Sequence, residues 1–339
     1  MKNFIENGDT ILLTVRQPSE KTLYTTTKSS SKRRRQDTCR NDSIAGDSPV
    51  RPGRRFSPMS CLGFIGTHAG VALIFITGFS WVALFSLFCV YALNMFGISA
   101  GFHRYFSHRS YKTNRFFQFV LAWLGTSAAQ RGPLWWAAHH RDHHRHSDQK
   151  EDIHSPIREA FWYSHFGWIL CPENFATKHS RVRDLTKYPE LRFLDRFYLV
   201  PPFVRASILF GLGSFLASNY PQLQTSGPQL LAWGFFAGTM ISYHITFSIN
   251  SFAHLFGSRS YETSDSSKNN WLLALLTFGE GWHNNHHQYP GLERHGHRWW
   301  EFDLTHSLLK ILSSLGVVYD MRVQPPIDKL KYESTRNTA

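Results

Sequence analysis

The chain has 339 residues, enough for one large domain or two small ones. Lys and Arg number 37 against 24 Asp and Glu, so the formal net charge is +13, and aromatic residues make up 15% of the chain. The four cysteines lack CxxC spacing, which excludes a disulfide framework and a cysteine-rich zinc site. They are Cys39, Cys61, Cys89 and Cys171.

Residues 1–60 form a polar and basic segment with runs such as "TTTKSSSKRRRQD". Such a composition buries too little apolar surface to offset the entropy of ordering the chain, so we predict that this segment is disordered. It also lacks the apolar centre of a signal peptide. We therefore predict one folded domain over 61–325, followed by a tail over 326–339.

The apolar residues are concentrated in a few blocks, although the mean hydropathy is only −0.30. A bilayer core needs roughly 20 apolar residues per helix. The block at 61–101, with a break near 78–80, therefore predicts a hairpin of two spans, 61–78 and 80–101. Blocks at 197–216 and 230–249 predict a second hairpin. The predicted fold is an all-α integral membrane protein with four transmembrane helices, and the alternative is a soluble bundle with an apolar core.

The segments outside the four spans carry the polar chemistry. "RFFQFVLAWLGTSAA" and "WLLALLTFGEG" are shorter apolar stretches, which suit helices at the membrane surface or buried against it. Most Lys and Arg of the folded part fall in the loop 102–196 and after residue 250. Since excess positive charge marks the cytoplasmic side, we predict a cytosolic helical cap on that side of the membrane.

Histidine is concentrated in three clusters, all on the predicted cytoplasmic side. The first is "HRYFSH", the second is "HHRDHH" and the third is "HNNHH". In the last two, histidines recur at i, i+3 and i+4, which share one face of a helix about 5–6 Å apart. The first pair is about 140° apart on an ideal α-helix, so it predicts a helix end or a local π-type turn. The members are His103, His108, His140, His143, His144, His283, His286 and His287.

The number of clustered histidines indicates the kind of metal. Catalytic zinc takes about three protein ligands, and the HExxH signature of zinc proteases is absent from the sequence. Imidazole also suits iron and copper, and the surplus of ligands predicts two metal ions. Two iron ions would support redox chemistry with dioxygen, which zinc would not. We predict structural or solvated roles for the remaining histidines, which include His139, His146, His154, His165, His179, His244, His295, His297 and His306.

With these motifs in view, the sequence resembles the membrane-bound fatty acyl desaturases of the Δ9 type, the stearoyl-CoA desaturase-like family. The resemblance runs from about Cys61 to Arg322 and includes "GISAGFHRYFSHRSY", "WWAAHHRDHHRHSD", "NSFAHLFGSR" and "GEGWHNNHHQYP". It implies four transmembrane helices under a cytosolic cap that holds a di-iron site. It also implies a ninth histidine ligand, His254, and an iron contact through water from Asn250.

The resemblance further implies an enzyme that uses O2 to place a cis double bond at C9 of a saturated C16–C18 acyl chain. Gln130, Trp136 and Thr246 would line the bend of the substrate tunnel. No cytochrome b5 domain follows the last cluster, so we expect a separate electron donor, cytochrome b5 or a ferredoxin-type protein with its reductase. Membrane lipid is an expected partner, and nucleic acid is not.

Several alternatives stay open at this point. The sequence departs from the animal acyl-CoA enzymes at 138–139, "AH", and 158–159, "RE", positions that the family uses for the CoA head group. The expected carrier of the acyl chain is CoA. The alternatives are a desaturase that acts on acyl lipids, or one that places the double bond at another position. A related hydroxylase would show HxxxH rather than HxxxxH in the first cluster. A membrane metal-binding or transport protein would place ionisable residues along its spans, where the first hairpin has only His68.

Chain length is expected to depend on the second span, whose earlier turns lead away from the histidines into the membrane. Leu87 and Tyr91 precede His103 by roughly 24 and 18 Å of helix. We predict that Tyr91 contacts the methyl end of the acyl chain and limits its length, the alternative being ordinary packing at mid-span.

Overall fold

The computed structural model describes residues 55–322. Within this range, four helices are long and apolar enough to cross a membrane: Pro58–Thr77, Trp81–Ser107, Val200–Asn219 and Pro221–Leu255, here spans 1 to 4. The predicted all-α membrane fold with four spans is therefore confirmed. The predicted disordered segment up to residue 54 and the predicted tail 326–339 lie outside the described residues.

The first hairpin is bounded by serine caps. Span 1 begins at Pro58 rather than at 61, because Ser57 accepts a hydrogen bond from Ser60 N and Pro58 suits the first helical position. It consists of the helices Pro58–Val71 and Leu73–Thr77. Gly78 has φ of 72°, which ends the span, and the Ser80 side chain accepts from Ala83 N at the start of span 2. The break expected near 78–80 is confirmed.

Span 2 changes its winding as it enters the cap. It is α-helical over Trp81–Phe96 and a π-helix over Gly97–Ser107, so it continues six residues beyond the predicted end at 101. Packing accompanies this change, because a Cβ on Gly97 would lie 2.6 Å from Gly125 N of a neighbouring helix. The π-helix therefore lies directly against the helix Arg115–Ser127.

The second hairpin is less regular. Span 3 is one helix, Val200–Asn219. Span 4 comprises the short turn Pro221–Leu223, the helix Gly227–Leu230, the π-helix Leu231–Ala237 and the helices Gly238–Asn250 and Phe252–Leu255. The spans also contain polar contacts: Arg205 donates to Asn94 Oδ1, and His68 Nε2 lies 2.9 Å from His244 Nε2.

The remaining described elements form the cap. Its α-helices are Arg115–Ser127, Pro133–His146, Phe161–His165, Arg183–Thr186, Pro189–Arg196, Trp271–Leu276, His283–Gln288 and Leu304–Ser314. Short 3₁₀ turns occupy Gly167–Leu170, Pro172–Asn174 and His179–Arg181. A two-residue strand, Lys112–Thr113, pairs antiparallel with Val318–Tyr319.

The cap is joined to span 2 by a buried ion network. Arg104 is fully buried, and its guanidinium forms a bidentate pair with Asp303 at 3.0 and 3.1 Å. The same group donates to Glu280 Oε1 at 3.0 Å and to the carbonyl of Glu293 at 2.7 Å. A buried charge needs such complete pairing. The network therefore fixes the segment 280–303 against the end of span 2.

Candidate metal centre

The structure brings all nine predicted histidine ligands together, in two groups whose nitrogens lie within 4.8 Å of one another. Group 1 consists of His103, His108, His140, His144 and His286. Group 2 consists of His143, His254, His283 and His287. The prediction of two points of convergence is thus met by the geometry.

The π-helix explains how the first cluster reaches group 1. His103 and His108 are five residues apart, which would separate them on an α-helix, but the backbone N–H of His108 donates to the carbonyl of His103 at 3.2 Å. This i+5 pattern brings both rings to one face, with centroids 4.8 Å apart. The predicted π-type turn is confirmed.

The other two clusters are divided between the groups, which the spacing did not reveal. On the helix Pro133–His146, His140 and His144 belong to group 1 and His143 to group 2. On the helix His283–Gln288, His286 belongs to group 1, whereas the other two histidines of the cluster belong to group 2. The two helices therefore face each other with both groups between them. Each triplet thus contributes two histidines to one group and the third to the other.

The nitrogens in each group are packed as ligands of a cation would be. His286 Nε2 lies 3.0 Å from His103 Nε2 and 2.9 Å from His144 Nε2. Neutral imidazole has one lone pair and one N–H, so three such atoms cannot satisfy one another. Two nitrogens at about 2.1 Å from a shared metal, at right angles, would be about 3.0 Å apart. His287 Nε2 is buried without a hydrogen-bond partner among the described residues. The donor set therefore fits two bound metal ions.

Burial keeps these rings in the neutral form that binds metals. It lowers the pKa of His108, His140 and His144 well below the ordinary value of histidine, and it lowers the pKa of His287 to about 4. His143 is the exception: burial lowers its pKa, but the carboxylates of Asp152, Asp148 and Asp265 together outweigh this effect and the net pKa is raised. A neutral ring with a free lone pair is the ligand form.

Four carboxylates contact the far side of the rings, and the sequence analysis missed them. His143 Nδ1 is 3.1 Å from Asp152 Oδ2, and His254 Nδ1 is 3.4 Å from Asp148 Oδ2. Asp265 contacts His287 Nδ1, and Glu280 contacts His103 Nδ1. Such carboxylates fix the orientation and tautomer of metal-binding histidines. Their proximity to the clusters in "HHRHSDQKED" and "GEGWHNNHH" was the available signal for three of them.

An apolar cavity of about 570 Å³ reaches group 1 at His140. His140 and Asn250 line it, as do the predicted substrate residues Gln130, Trp136 and Thr246. The Gln130 Nε2 and Thr246 Oγ1 atoms are buried without a hydrogen-bond partner in the described part of the chain. They are therefore polar atoms available to a molecule in the cavity.

Tyr91 is placed differently from the other predicted substrate residues, since it does not line this cavity. Its hydroxyl donates to the carbonyl of Leu276, and its ring meets Phe278 edge-on with centroids 6.0 Å apart. Its role in chain length stays a prediction.

Three of the four residues at 138–139 and 158–159 are buried, and Arg158 is exposed. Ala138, His139 and Glu159 have 0, 4 and 6% of their surface exposed. The His139 ring packs on Trp135, with its Nδ1 2.9 Å from the carbonyl of that residue. These three side chains are therefore hardly accessible to the head group of an acyl carrier.

The described residues thus form four helices that can cross a membrane, two histidine groups and an apolar cavity that reaches group 1, an arrangement that suits a membrane enzyme for apolar substrates. A family model described as fatty acid desaturase matches residues 79–321. The chain belongs to the fatty acid desaturase family, and the resemblance found in the sequence is confirmed.

Named relatives act on different substrates. An acyl-CoA C20 Delta5-desaturase from Anemone leveillei is 36% identical over 272 residues, which cover 79% of this chain and 83% of that protein. An sn-1 stearoyl-lipid 9-desaturase from Anabaena variabilis is 36% identical over 271 residues, 78% of this chain and 93% of that protein. A palmitoyl-monogalactosyldiacylglycerol delta-7 desaturase from Arabidopsis thaliana is 34% identical over 261 residues, 76% of this chain and 67% of that protein.

Proposed function

We propose that this desaturase uses O2 and two iron ions to place a cis double bond at C9 of a saturated C16–C18 acyl chain. The observation that carries the proposal is the pair of histidine groups together with an apolar cavity that reaches group 1 at His140 and is also lined by Asn250. An acyl chain in that cavity would have its middle carbons beside the metals, with both ends away from them.

The residues of the chain fit the two irons as a set of neutral nitrogen donors. Group 1 would hold one iron through five histidines, and group 2 would hold the other through four. Asn250 is proposed to contact one of the irons through water. When bound and reduced by two electrons, the iron pair supplies the oxidising chemistry with O2 that unactivated C–H bonds require.

The protein itself positions the substrate and excludes water. Trp136 stacks on the His140 ring, with centroids 4.9 Å apart and planes 22° apart, where the cavity meets group 1. Gln130 and Thr246 present unsatisfied polar atoms at the same cavity. We propose that these side chains hold the acyl chain bent beside the metals. A chain bent at the C9–C10 bond holds its two halves on the same side of that bond, which favours a cis product.

Three further features belong to this proposal. The cap is assigned to the cytoplasmic side because of its Lys and Arg content. Electrons are assigned to a separate donor, cytochrome b5 or a ferredoxin-type protein with its reductase.

C9 is the position acted on by the stearoyl-lipid 9-desaturase of Anabaena variabilis. Both acyl-CoA and acyl-lipid occur as carriers in the names of the relatives.

Product analysis would test the proposal. The full chain is expressed in a desaturase-deficient host, and fatty acids are analysed by gas chromatography. We expect C16 and C18 products with a cis double bond at C9, and we expect none from His286→Ala, which removes a group 1 ligand. His146→Ala is the matched control, since His146 lies on the same cap but in neither group. Active protein that holds zinc and no iron would refute the iron proposal, and a double bond elsewhere would refute the C9 assignment.

A further inference from the structure

We propose that the acyl chain enters from the bilayer between the first turns of spans 1 and 3, as part of a glycerophospholipid. Arg131 is proposed to bind the phosphate of that lipid. This inference rests on the proposed desaturase function, since it names the carrier and the path by which the substrate reaches the same cavity.

The first observation is that the cavity has lipid-facing walls. Met59 and Leu62 of span 1 are 77% and 66% exposed, and Phe203 of span 3 is 73% exposed, yet all three line the cavity. A lining residue with so much exposed surface must lie at the opening. These residues belong to the first turns of membrane-crossing helices, so the opening faces lipid close to the cap.

The second observation is that Arg131 lines the cavity as an unpaired cation. Its guanidinium carbon lies 3.8 Å from the Phe175 ring centroid, 5.2 Å from that of Trp135 and 5.6 Å from that of Tyr198. No carboxylate of the described residues lies within ion-pair distance of it. Aromatic faces stabilise a guanidinium without neutralising it, so Arg131 retains its charge and its N–H donors for a ligand.

The backbone around Arg131 is held in an unfavourable conformation. Ala129 and Arg131 have φ of 58° and 66°, the left-handed region that non-glycine residues rarely adopt. The Tyr243 hydroxyl donates to the carbonyl of Ala129 at 3.0 Å, and Gly132 packs directly against Asp195. The surrounding structure thus maintains a strained loop that places Gln130 and Arg131 at the cavity. Such strain is concentrated at ligand-binding sites.

Charge favours a phospholipid over CoA as the ligand of this site. Arg131 is the one arginine in the cavity lining, which contains no lysine and no carboxylate. One guanidinium matches the single phosphate of a glycerophospholipid, which it can bind in a bidentate manner. The several phosphates of CoA would require more cations than this lining provides.

Arg131 also lies apart from the histidine groups along one helix. It lies just before the helix Pro133–His146, and the rise from Pro133 to His140 is about 10 Å. A phosphate at Arg131 would therefore lie away from group 1, with the glycerol and the first part of the acyl chain between them.

Photo-crosslinking tests the proposal on the full-length, iron-loaded protein in nanodiscs, without an electron donor. The probe is a phosphatidylcholine with a diazirine at C9 of its sn-1 stearoyl chain. We expect crosslinks on Trp136 or Thr246, identified by peptide mass spectrometry, and no competition by excess stearoyl-CoA. A monogalactosyl diacylglycerol with the same labelled chain lacks the phosphate and should label about tenfold less, since hydrogen bonds to charged groups are strong.

Two pairs of variants test the residues. Arg131→Gln should reduce labelling about tenfold, whereas Arg131→Lys should retain part of it. The control Arg196→Gln, at an exposed arginine outside the cavity lining, should change nothing. Leu62→Trp should obstruct the opening and lower labelling, and Leu93→Trp, on the lipid face of span 2, should not. Iron content and melting temperature show whether each variant is folded.

Each opposite result overturns a defined part of the proposal. Competition by stearoyl-CoA would assign the cavity to acyl-CoA, and equal labelling in Arg131→Gln would remove the phosphate contact. Crosslinks confined to the outer faces of the spans, or normal labelling in Leu62→Trp, would remove the opening. Turnover assays separate the two proposals. Turnover of stearoyl-CoA but not of the phospholipid would refute the phospholipid proposal and leave the desaturase function intact. Cavity labelling without turnover of any acyl substrate would refute the desaturase function and leave only the lipid-binding site.

Discussion

Asp152 contacts two histidines at once and therefore tests the role of the carboxylates behind the metal centre. Its Oδ2 is 3.1 Å from His143 Nδ1, and its Oδ1 is 3.4 Å from His154 Nδ1. We predict that Asp152→Asn weakens iron binding about 10–100-fold, because a neutral amide orients and polarises the imidazole less well than a carboxylate. Iron retained during titration with a chelator measures the effect.

Asp142→Asn is the control for this prediction. Asp142 lies on the same helix and contacts Lys178 and Arg181 instead of a histidine. It should lose no iron. Equal iron affinity in Asp152→Asn and the native protein would show that the carboxylate does not support the ligand.

Tyr91 tests whether span 2 limits the length of the acyl chain. We predict that Tyr91→Ala favours longer substrates while the double bond stays at C9, because it opens space 12 residues before His103. Tyr91→Phe removes only the hydroxyl that donates to Leu276, so it should keep the native preference. The C16:C18 product ratio is measured in both variants. An unchanged ratio in Tyr91→Ala, with normal expression, would exclude the residue from the acyl-binding region.

Ser99 is a second position on the same span with a different expected effect. Its hydroxyl contacts Glu280 Oε1 and lies 2.7 Å from Thr305 Oγ1, and it is 1% exposed. A bulkier side chain would displace Glu280, which contacts the His103 ring. Ser99→Leu should therefore lower activity on all chain lengths, in contrast to a change at Tyr91.

At the level of elements, the π-helix of span 2 depends on glycines where it meets the helix Arg115–Ser127. A Cβ on Gly97 would lie 2.6 Å from Gly125 N, a contact with backbone that cannot move aside easily. We predict that Gly97→Ala destabilises the protein by about 1–3 kcal/mol, as overpacking does, and lowers iron content by displacing the first cluster. Gly63→Ala, where nothing lies within 4 Å, is the matched control. Equal melting temperatures for the two variants would contradict this account.

The sequence predicted these elements well where hydropathy or local spacing determines them. The turn at Gly78 and the serine cap at Ser80 lie at the predicted break, and the spacing of His103 and His108 indicated the π-type turn. Longer-range features were harder to predict. The division of each triplet between two groups depends on how the helices Pro133–His146 and His283–Gln288 face each other, and Asp265 reaches His287 across 22 residues of chain. The local periodicity of the sequence predicts neither the packing of these two helices nor the contact between Asp265 and His287.

For the whole molecule, we predict that the basic N-terminal segment is dispensable for iron binding and turnover. Residues 1–54 lie outside the described structure. Near the start of the described residues, the backbone N–H of Ser57 donates to the carbonyl of Leu170 at 2.8 Å and attaches span 1 to the cap. Deletion of residues 2–55 keeps this contact. Each basic residue near an anionic membrane surface contributes about 1 kcal/mol, so the deletion should remove contacts with anionic lipid headgroups while the four spans keep the protein in the membrane. A deletion variant without iron or turnover would refute the prediction.

Metal removal tests how far the two histidine groups hold the molecule together. Group 1 joins span 2 to the helices Pro133–His146 and His283–Gln288, and group 2 joins the same two helices to the end of span 4. Without metal, the convergent lone pairs of buried, neutral imidazoles repel one another. A ligand present at 100 times its dissociation constant stabilises the folded state by about 2.7 kcal/mol, so chelation should lower the melting temperature by about 5 °C or more.

Fe²⁺ and Zn²⁺ should both restore the melting temperature, because both accept imidazole, but only Fe²⁺ should restore turnover. Metal analysis should give about two ions per chain, and a melting temperature insensitive to chelation would show that the histidine groups do not bind metal as proposed.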